Sequence, residues 1–333
     1  MMSVELTQPG FGVGTGKASK DLAPGNRFWT LSFVQVLSKL LVGVTFFLIS
    51  LGSLVRNEDA GLACPDWPLC HGHVVPPMDY QVFLEWFHRL VAGFVSIGLL
   101  TLSVVVLTNR SLRQLVGKWC IAALIMLAAQ VVLGGMTVLG LLHPGWVSSH
   151  LAVGLAFFAA LVVISIKFSE LSGRGRTEPL LAVCFRNRAE ESGLSNLAAI
   201  ALFAIYGQSL MGGGVASNYA GLACPDFPKC LGVWWPPFEG IIRFQMIHRI
   251  GAIVVTLVAV TFFVAVWAKK KQLSPSVVGW SVFALVLLGI QIFLGIGNVI
   301  WQLPLLMSVA HLSVAALLIG SFVVLFYEIR RTN

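Results

Sequence analysis

The sequence predicts an all-α integral membrane protein, with eight transmembrane helices arranged as two tandem, pseudo-symmetric four-helix bundles. Three observations predict it. Of 333 residues, 57% are hydrophobic and only 11% charged, and the mean hydropathy is +0.87, outside the usage of soluble domains. Eight stretches reach the ~20 apolar residues needed to cross a ~30 Å hydrocarbon core. The first four of these stretches recur as the last four.

The spans fall at roughly 29–55, 84–107, 119–142, 147–168, 195–216, 244–268, 275–301 and 305–327. All are expected to be helices, because an open strand edge in lipid leaves backbone groups unpaired. Residues 1–27 hold Lys17, Lys20 and Arg27 beside Glu5 and Asp21 with no apolar run, so they read as a cytoplasmic tail and not as a signal peptide. Most of the 22 Lys and Arg lie in this tail, in 108–118, 167–194, 269–274 and at the C-terminal end. The alternate segments hold only Arg56, Lys229 and Arg243. The positive-inside rule then places both termini in the cytoplasm of a bacterial inner membrane. The net charge of +8 reflects topology and attraction to anionic lipid, which argues against a nucleic-acid partner.

The duplication is explicit. "GLACPDWPLC" at 61 returns as "GLACPDFPKC" at 221, an offset of 160 that also relates His88-Arg89 to His248-Arg249. Trp119, Gln130, Gly134 and His150 recur as Trp280, Gln291, Gly295 and His311 at an offset of 161. Four spans per copy give both copies the same orientation, so the repeat axis lies along the membrane normal. The division is a tail (1–27), a first bundle (28–168), a cytoplasmic linker (169–194) carrying Arg174, Arg176, Arg186 and Arg188, and a second bundle (195–333).

Cys64, Cys70, Cys224 and Cys230 fall in external loops. In an oxidising compartment paired cysteines become disulfides. A zinc site using His71 and His73 is the alternative by ligand type, although the second copy loses both histidines, and redox-active thiols are a third reading. Covalent haem attachment requires C-x-x-C-H, and neither copy has it. Cys120 and Cys184 have no repeat partner and read as a small buried side chain and a cytoplasmic thiol.

Ionisable side chains inside a bilayer point to function. They are Lys39, Glu85, His88, Arg89, His150, His248, Arg249 and His311. The histidines lie two per copy on spans that enter from the outside, each about four residues, or ~6 Å, below the outer boundary. Matched depth suits two axial ligands of one haem iron in each bundle. Glu85-x-x-His88 matches one element of a di-iron carboxylate site, but the other carboxylates are missing from the spans. Arg89 and Arg249 are placed either to pair with haem propionates or to snorkel to the interface, and Lys39 is left to snorkelling. The copies differ at Glu85, whose counterpart is Gln245. A carboxylate one helical turn from His88 can serve as acid, base or charge stabiliser, so the first copy reads as the chemical half and the second as the electron-storing half.

These residues resemble the haem A synthases, the cytochrome oxidase assembly proteins that convert haem O to haem A. The resemblance rests on "GSLVR" (52–56), "GLACPDWPLCHG" (61–72), "EWFHR" (85–89), "SSHL" (148–151), "GLACPDFPKC" (221–230), "IHR" (247–249) and "AHL" (310–312). It implies oxidation of the C8 methyl of haem O to a formyl group by two successive oxygenations, through an alcohol and a hydrated aldehyde. His88 and His150 would flank the substrate haem with Glu85 assisting, and His248 and His311 would ligate a resident haem b. The resemblance further implies the disulfides Cys64–Cys70 and Cys224–Cys230, a homo-oligomer, action beside the farnesyltransferase that makes haem O, and an electron donor it does not name. A bis-histidine haem b electron carrier is the alternative function; a haem transporter or chaperone is a third reading.

Overall fold

The computed structural model describes residues 24–173 and 188–331. Within them the chain forms eight helices: α1 (Pro24–Asn57), α2 (Tyr80–Thr108), α3 (Arg110–Leu139), α4 (Pro144–Gly173), α5 (Arg188–Ser217), α6 (Gly240–Ala268), α7 (Pro275–Ile300) and α8 (Leu305–Arg331). Each is long and apolar enough to cross a membrane. Local chemistry sets several ends. Asp79 accepts from Val82 N to start α2, Asn109 accepts from Ser111 N and Leu112 N to start α3, and Ser274 precedes Pro275 at the start of α7, as N-caps and a first-turn proline should. The basic clusters expected at Arg174, Arg176 and Arg186, with Cys184, lie outside the described residues, as does most of the N-terminal tail.

Several boundaries differ from the sequence reading, among them the start of α3, at Arg110 and not 119. α3 stops at Leu139 and not at 142. Gly140 N donates to Met136 O and Val138 O, and Leu141 and Leu142 take φ values of 50° and 55°. Hydropathy alone does not register this apolar turn. α4 and α5 extend to Gly173 and from Arg188, so both ends of the expected linker are helical. α2 and α6 begin about four residues before their apolar windows, so each helix projects beyond its apolar stretch at the histidine end. His88 and His248 lie 8 residues from their helix starts (88 − 80 and 248 − 240), and His150 and His311 lie 6 (150 − 144 and 311 − 305). At ~1.5 Å per residue these are ~12 and ~9 Å along the helix from its first residue. They match between the copies and differ by about half a turn within each.

α1, α4, α5 and α8 meet at the centre of the molecule, with α2 and α3 flanking one side and α6 and α7 the other. Half of the apolar window of α4 and of α8 is buried, against 17% for α3 and 22% for α6, which makes α4 and α8 the axis of the pseudo-symmetric pair. Polar contacts join the halves: Ser50 to Ser313 at 2.8 Å, Ser148 to Ser217 at 3.0 Å, and Tyr206 OH donating to Ala152 O at 2.9 Å. Such bonds and close packing hold helices together where lipid removes the hydrophobic drive. The densest side-chain packing lies away from the histidines, toward the ends of α2, α4, α6 and α8. Leu99, Leu102, Val116 and Phe168 fill the first bundle there, and Phe262, Phe263 and Phe322 the second. The opposite part of each bundle is left to the imidazoles.

Candidate functional site

Each bundle is covered by a loop of the same build, 58–79 in the first half and 218–239 in the second. Disulfides Cys64–Cys70 and Cys224–Cys230 close them, so these sulfurs are not available as zinc ligands. His71, the other half of that alternative, bonds Ala63 O through Nε2 at 2.9 Å. Asp66 accepts from His71 N and Gly72 N, and Asp226 from Leu231 N and Gly232 N. Residues 71, 72, 231 and 232 all have positive φ, and the carboxylates secure this turn. Donation from the glycine amide, then from the preceding one, holds both aspartates below the usual carboxylate range against partial desolvation. Each loop also rests on the following turn. A Cβ at Gly61 would lie 3.2 Å from Leu142 Cδ2, and one at Gly221 2.9 Å from Leu303 Cδ1.

Arg89 and Arg249 tie these lids to the helices beneath. Arg89 donates to the carbonyls of Asp66, Leu69 and Cys64 at 2.8, 2.5 and 3.0 Å. Arg249 donates to those of Lys229, Cys224 and Asp226 at 2.8, 2.8 and 2.9 Å. Three backbone acceptors per guanidinium use the fork that makes arginine suited to such sites. In the first half the tie is stronger. Glu85, only 4% exposed, accepts from Arg89 Nη2 at 2.6 Å through Oε1 and from Cys64 N at 2.7 Å through Oε2. Both oxygens of Glu85 are therefore turned to the lid and its disulfide, one turn before His88. The di-iron element suggested by Glu85-x-x-His88 is not assembled, and Lys39 is exposed on the outer surface of α1.

The four histidines share one local design. His88 (α2) packs on Gly52 (α1), His150 (α4) on Gly134 (α3), His248 (α6) on Gly212 (α5), and His311 (α8) on Gly295 (α7). A Cβ at each glycine would lie 3.0, 3.3, 3.1 and 3.0 Å from the imidazole Cε1, inside ordinary van der Waals contact. The absence of a side chain is what lets each ring lie against the neighbouring helix. His88 and His150 belong to one bundle and His248 and His311 to the other. Glutamines approach three of the four. Gln130 Nε2 donates to His150 O at 2.7 Å, Gln208 Nε2 lies 2.9 Å from His248 Nδ1, and Gln291 Nε2 lies 3.4 Å from His311 Nε2.

This donor set fits a bis-imidazole haem in each half. The Nδ1 atoms of His88, His150 and His311 are buried without a partner, although each residue as a whole is only half-buried. Buried polar atoms are normally satisfied; with the Nδ1 edge turned into protein and the residue still part-exposed, Nε2 is the edge each of these rings would offer to iron. Among the described residues no three His, Cys, Asp or Glu are grouped to hold a bare ion, whereas haem iron brings four ligands of its own and asks for two imidazoles.

The sequence reading missed Gly52, Gly212 and Gln208 as parts of the site. Their signal was available: Gly52 and Gly212 are separated by the same 160 residues as His88 and His248, and Gly134 and Gly295 by the same 161 as His150 and His311.

The family of cytochrome oxidase assembly proteins described as COX15-CtaA matches residues 35–82 and 78–323. Among similar proteins, a heme A synthase of Shewanella oneidensis is 31% identical over 87% of this chain and 95% of its own length. A heme A synthase of Bacillus pumilus is 27% identical over 84% and 89%, and one of Shouchella clausii is 28% identical over 69% and 73%.

Proposed function

The chain belongs to the cytochrome oxidase assembly family, and on that premise we propose that it is a haem A synthase, an oxidoreductase that converts the C8 methyl of haem O to a formyl group. The observation that carries this reading is the duplicated histidine-on-glycine cradle with a carboxylate beside only one copy. In the proposed division, His88 and His150 of the first bundle (28–168) hold the substrate haem O, and His248 and His311 of the second (195–333) hold a resident haem b. When bound, haem b supplies one-electron transfer.

The methyl group reaches the formyl level by two two-electron oxidations, each adding one oxygen, through the alcohol and then the hydrated aldehyde; each step takes its oxygen either from dioxygen, with two electrons and two protons from a donor and release of one water, or from water, with two electrons passed to an acceptor. Loss of water from the latter needs a base on one hydroxyl and a proton for the departing hydroxide. Glu85 Oε2, on giving up its bond to Cys64 N, takes the hydroxyl proton and returns it to the leaving oxygen, so that no net proton is consumed. Arg89 Nη2, at 2.6 Å, fixes the orientation of the carboxylate. The lid, closed by its disulfide and held by Arg89, limits access of water to this step. With their guanidiniums committed to lid carbonyls, Arg89 and Arg249 would reach propionates only by giving up those bonds. The same reading places the enzyme in a bacterial inner membrane with both termini cytoplasmic, supported by the distribution of Lys and Arg. Its proposed neighbours are further copies of itself, the farnesyltransferase that makes haem O, and an electron donor.

The test is expression beside a haem O source followed by extraction of the haems. Formyl-bearing haem is expected from the wild type. Glu85→Gln should retain haem but lose conversion, because the amide can still accept from Cys64 N yet cannot take a proton. Haem b alone in the wild-type extract overturns the reading in favour of an electron carrier, for which the contrast between Glu85 and Gln245 has no use.

A further inference from the structure

The two halves do not hold their α2- and α6-borne histidines alike. Gln208 Nε2 lies 2.9 Å from His248 Nδ1 and also donates to His248 O at 2.8 Å, while Gln208 Oε1 is buried without a partner. Subtracting the repeat offset of 160 puts Leu48 where Gln208 stands, and His88 Nδ1 has no partner. The space for the amide is also specific to the second half. A Cβ on Gly251 would run into Gln208 Oε1, and the residue matching Gly251 is the buried Val91. One half therefore holds an apolar pair, Leu48 and Val91, where the other holds an amide and the gap that admits it. The remaining histidine of each half has a glutamine nearby in both copies, Gln130 on the His150 carbonyl and Gln291 near the His311 ring, so only at His88 and His248 is the amide present in one copy and missing from the other.

A carboxamide can partner Nδ1 in either tautomer, donating from Nε2 to a bare nitrogen or accepting on Oε1 from a protonated one. Iron on Nε2 leaves the proton on Nδ1, so a ligating His248 donates to Gln208 Oε1 with the two ends of the amide exchanged; that hydrogen bond fixes the ring and raises its basicity toward iron. We propose that Gln208 is a positioning residue that makes His248 a permanent axial ligand, whereas Leu48 leaves His88 an exchangeable one. This rests on the bis-imidazole reading above. It assigns to the second half a haem that stays and to the first a haem that enters and leaves at each turnover.

The experiment uses the full chain loaded with protohaem, with haem transfer to excess apomyoglobin followed as two phases and midpoint potentials measured by redox titration. The second-half phase is the one lost in His248→Ala. Gln208→Leu should speed that phase about 10- to 100-fold, the usual cost of losing such an outer partner, and raise its midpoint potential. Gln208→Glu, which keeps an acceptor, should hold the rate near wild type and lower the potential; a merely structural role would not give opposite shifts. The double variant L48Q/V91G should slow haem loss from the first half, and it decides the matter if Gln208→Leu does not accumulate. Unchanged rates and potentials in Gln208→Leu, potential shifts of one sign in both Gln208 variants, or an unaltered first-half phase in L48Q/V91G overturn the proposal. Haem absent from the wild type, or a spectrum unmoved by His248→Ala, would instead overturn the bis-imidazole reading itself.

Discussion

Replacing the cradle glycines by alanine should separate haem affinity from helix stability. At Gly52 and Gly295 the added Cβ would sit 3.0 Å from the imidazole Cε1, against an ordinary carbon–carbon contact of ~3.5–4.0 Å. The ring is rigid and its Nδ1 is sealed by protein, so it must tilt or slide by several tenths of an ångström. Overpacking of this kind costs about 1–3 kcal/mol. Placed on the ligand geometry, that is a roughly 5- to 150-fold loss of haem affinity. The same substitution favours the helix backbone by about 1 kcal/mol, which offsets part of the cost to the fold. Gly52→Ala and Gly295→Ala should therefore melt close to wild type while purifying with little haem. Gly134→Ala, whose Cβ would lie at 3.3 Å, should lose least. Gly43→Ala and Gly289→Ala, with nothing within 4 Å, are the controls. The assay is the haem-to-protein ratio and the low-spin absorption band after purification with ample haem supply, read beside the melting temperature. Full haem content in both Gly52→Ala and Gly295→Ala, or equal losses in the two controls, would refute the idea that these glycines exist to seat imidazoles.

Two further outcomes concern the lids. Replacing both Cys64 and Cys70 by serine removes about 2 kcal/mol of loop-closure stabilisation; amide exchange should rise across 61–73 while the helices keep their protection, and protection unchanged in that loop would count against the disulfide as its clamp. Asp66 and Asp226 are held below the usual carboxylate range by the amides of Gly72 and Gly232 and their neighbours, so their contribution is complete above the ordinary aspartate pKa and is lost as pH falls through the depressed one. Amide chemical shifts of Gly72 and Gly232 should stay constant from pH 7 to 5 and move only below the ordinary aspartate range, and movement between 7 and 5 would contradict this assignment.

The histidines were legible in the sequence because lipid makes every intramembrane imidazole conspicuous and the duplication marks which ones matter. The glycines opposite them were legible only as repeat matches, since nothing local to Gly52 says what lies across the helix interface. Other parts had no signal at all. Arg89 bonds three carbonyls, and a backbone acceptor leaves no mark on side-chain identity. Glu85 reaches Cys64 N across 21 residues, a contact made by the fold of the disulfide loop and not by helical spacing. The starts of α2 and α6 were placed about four residues late because they lie in polar or mixed sequence, where capping and not hydropathy decides the boundary.

Several differences between the halves gather around His88 and His248. Val91 and Gly251 lie one turn beyond the two histidines, Glu85 and Gln245 one turn before them, and Leu48 and Gln208 one turn from the glycines beneath. The lid contact follows suit: Trp67 lies over Gly135, where an added Cβ would be 3.2 Å from its ring, and the matching pair is Phe227 and Ile296. In the first half the carboxylate ties lid to helix and the imidazole lacks an Nδ1 partner. In the second the imidazole has its partner, while Gln245 replaces the carboxylate and Arg249 Nε is buried unpaired. Two haems serving only as an electron wire would be handled by two equivalent sites, and duplication would have supplied them at no further cost in sequence. Divergence around His88 and His248, with all four cradles kept, is what the proposed division between a retained haem and a haem that is worked on and released would require.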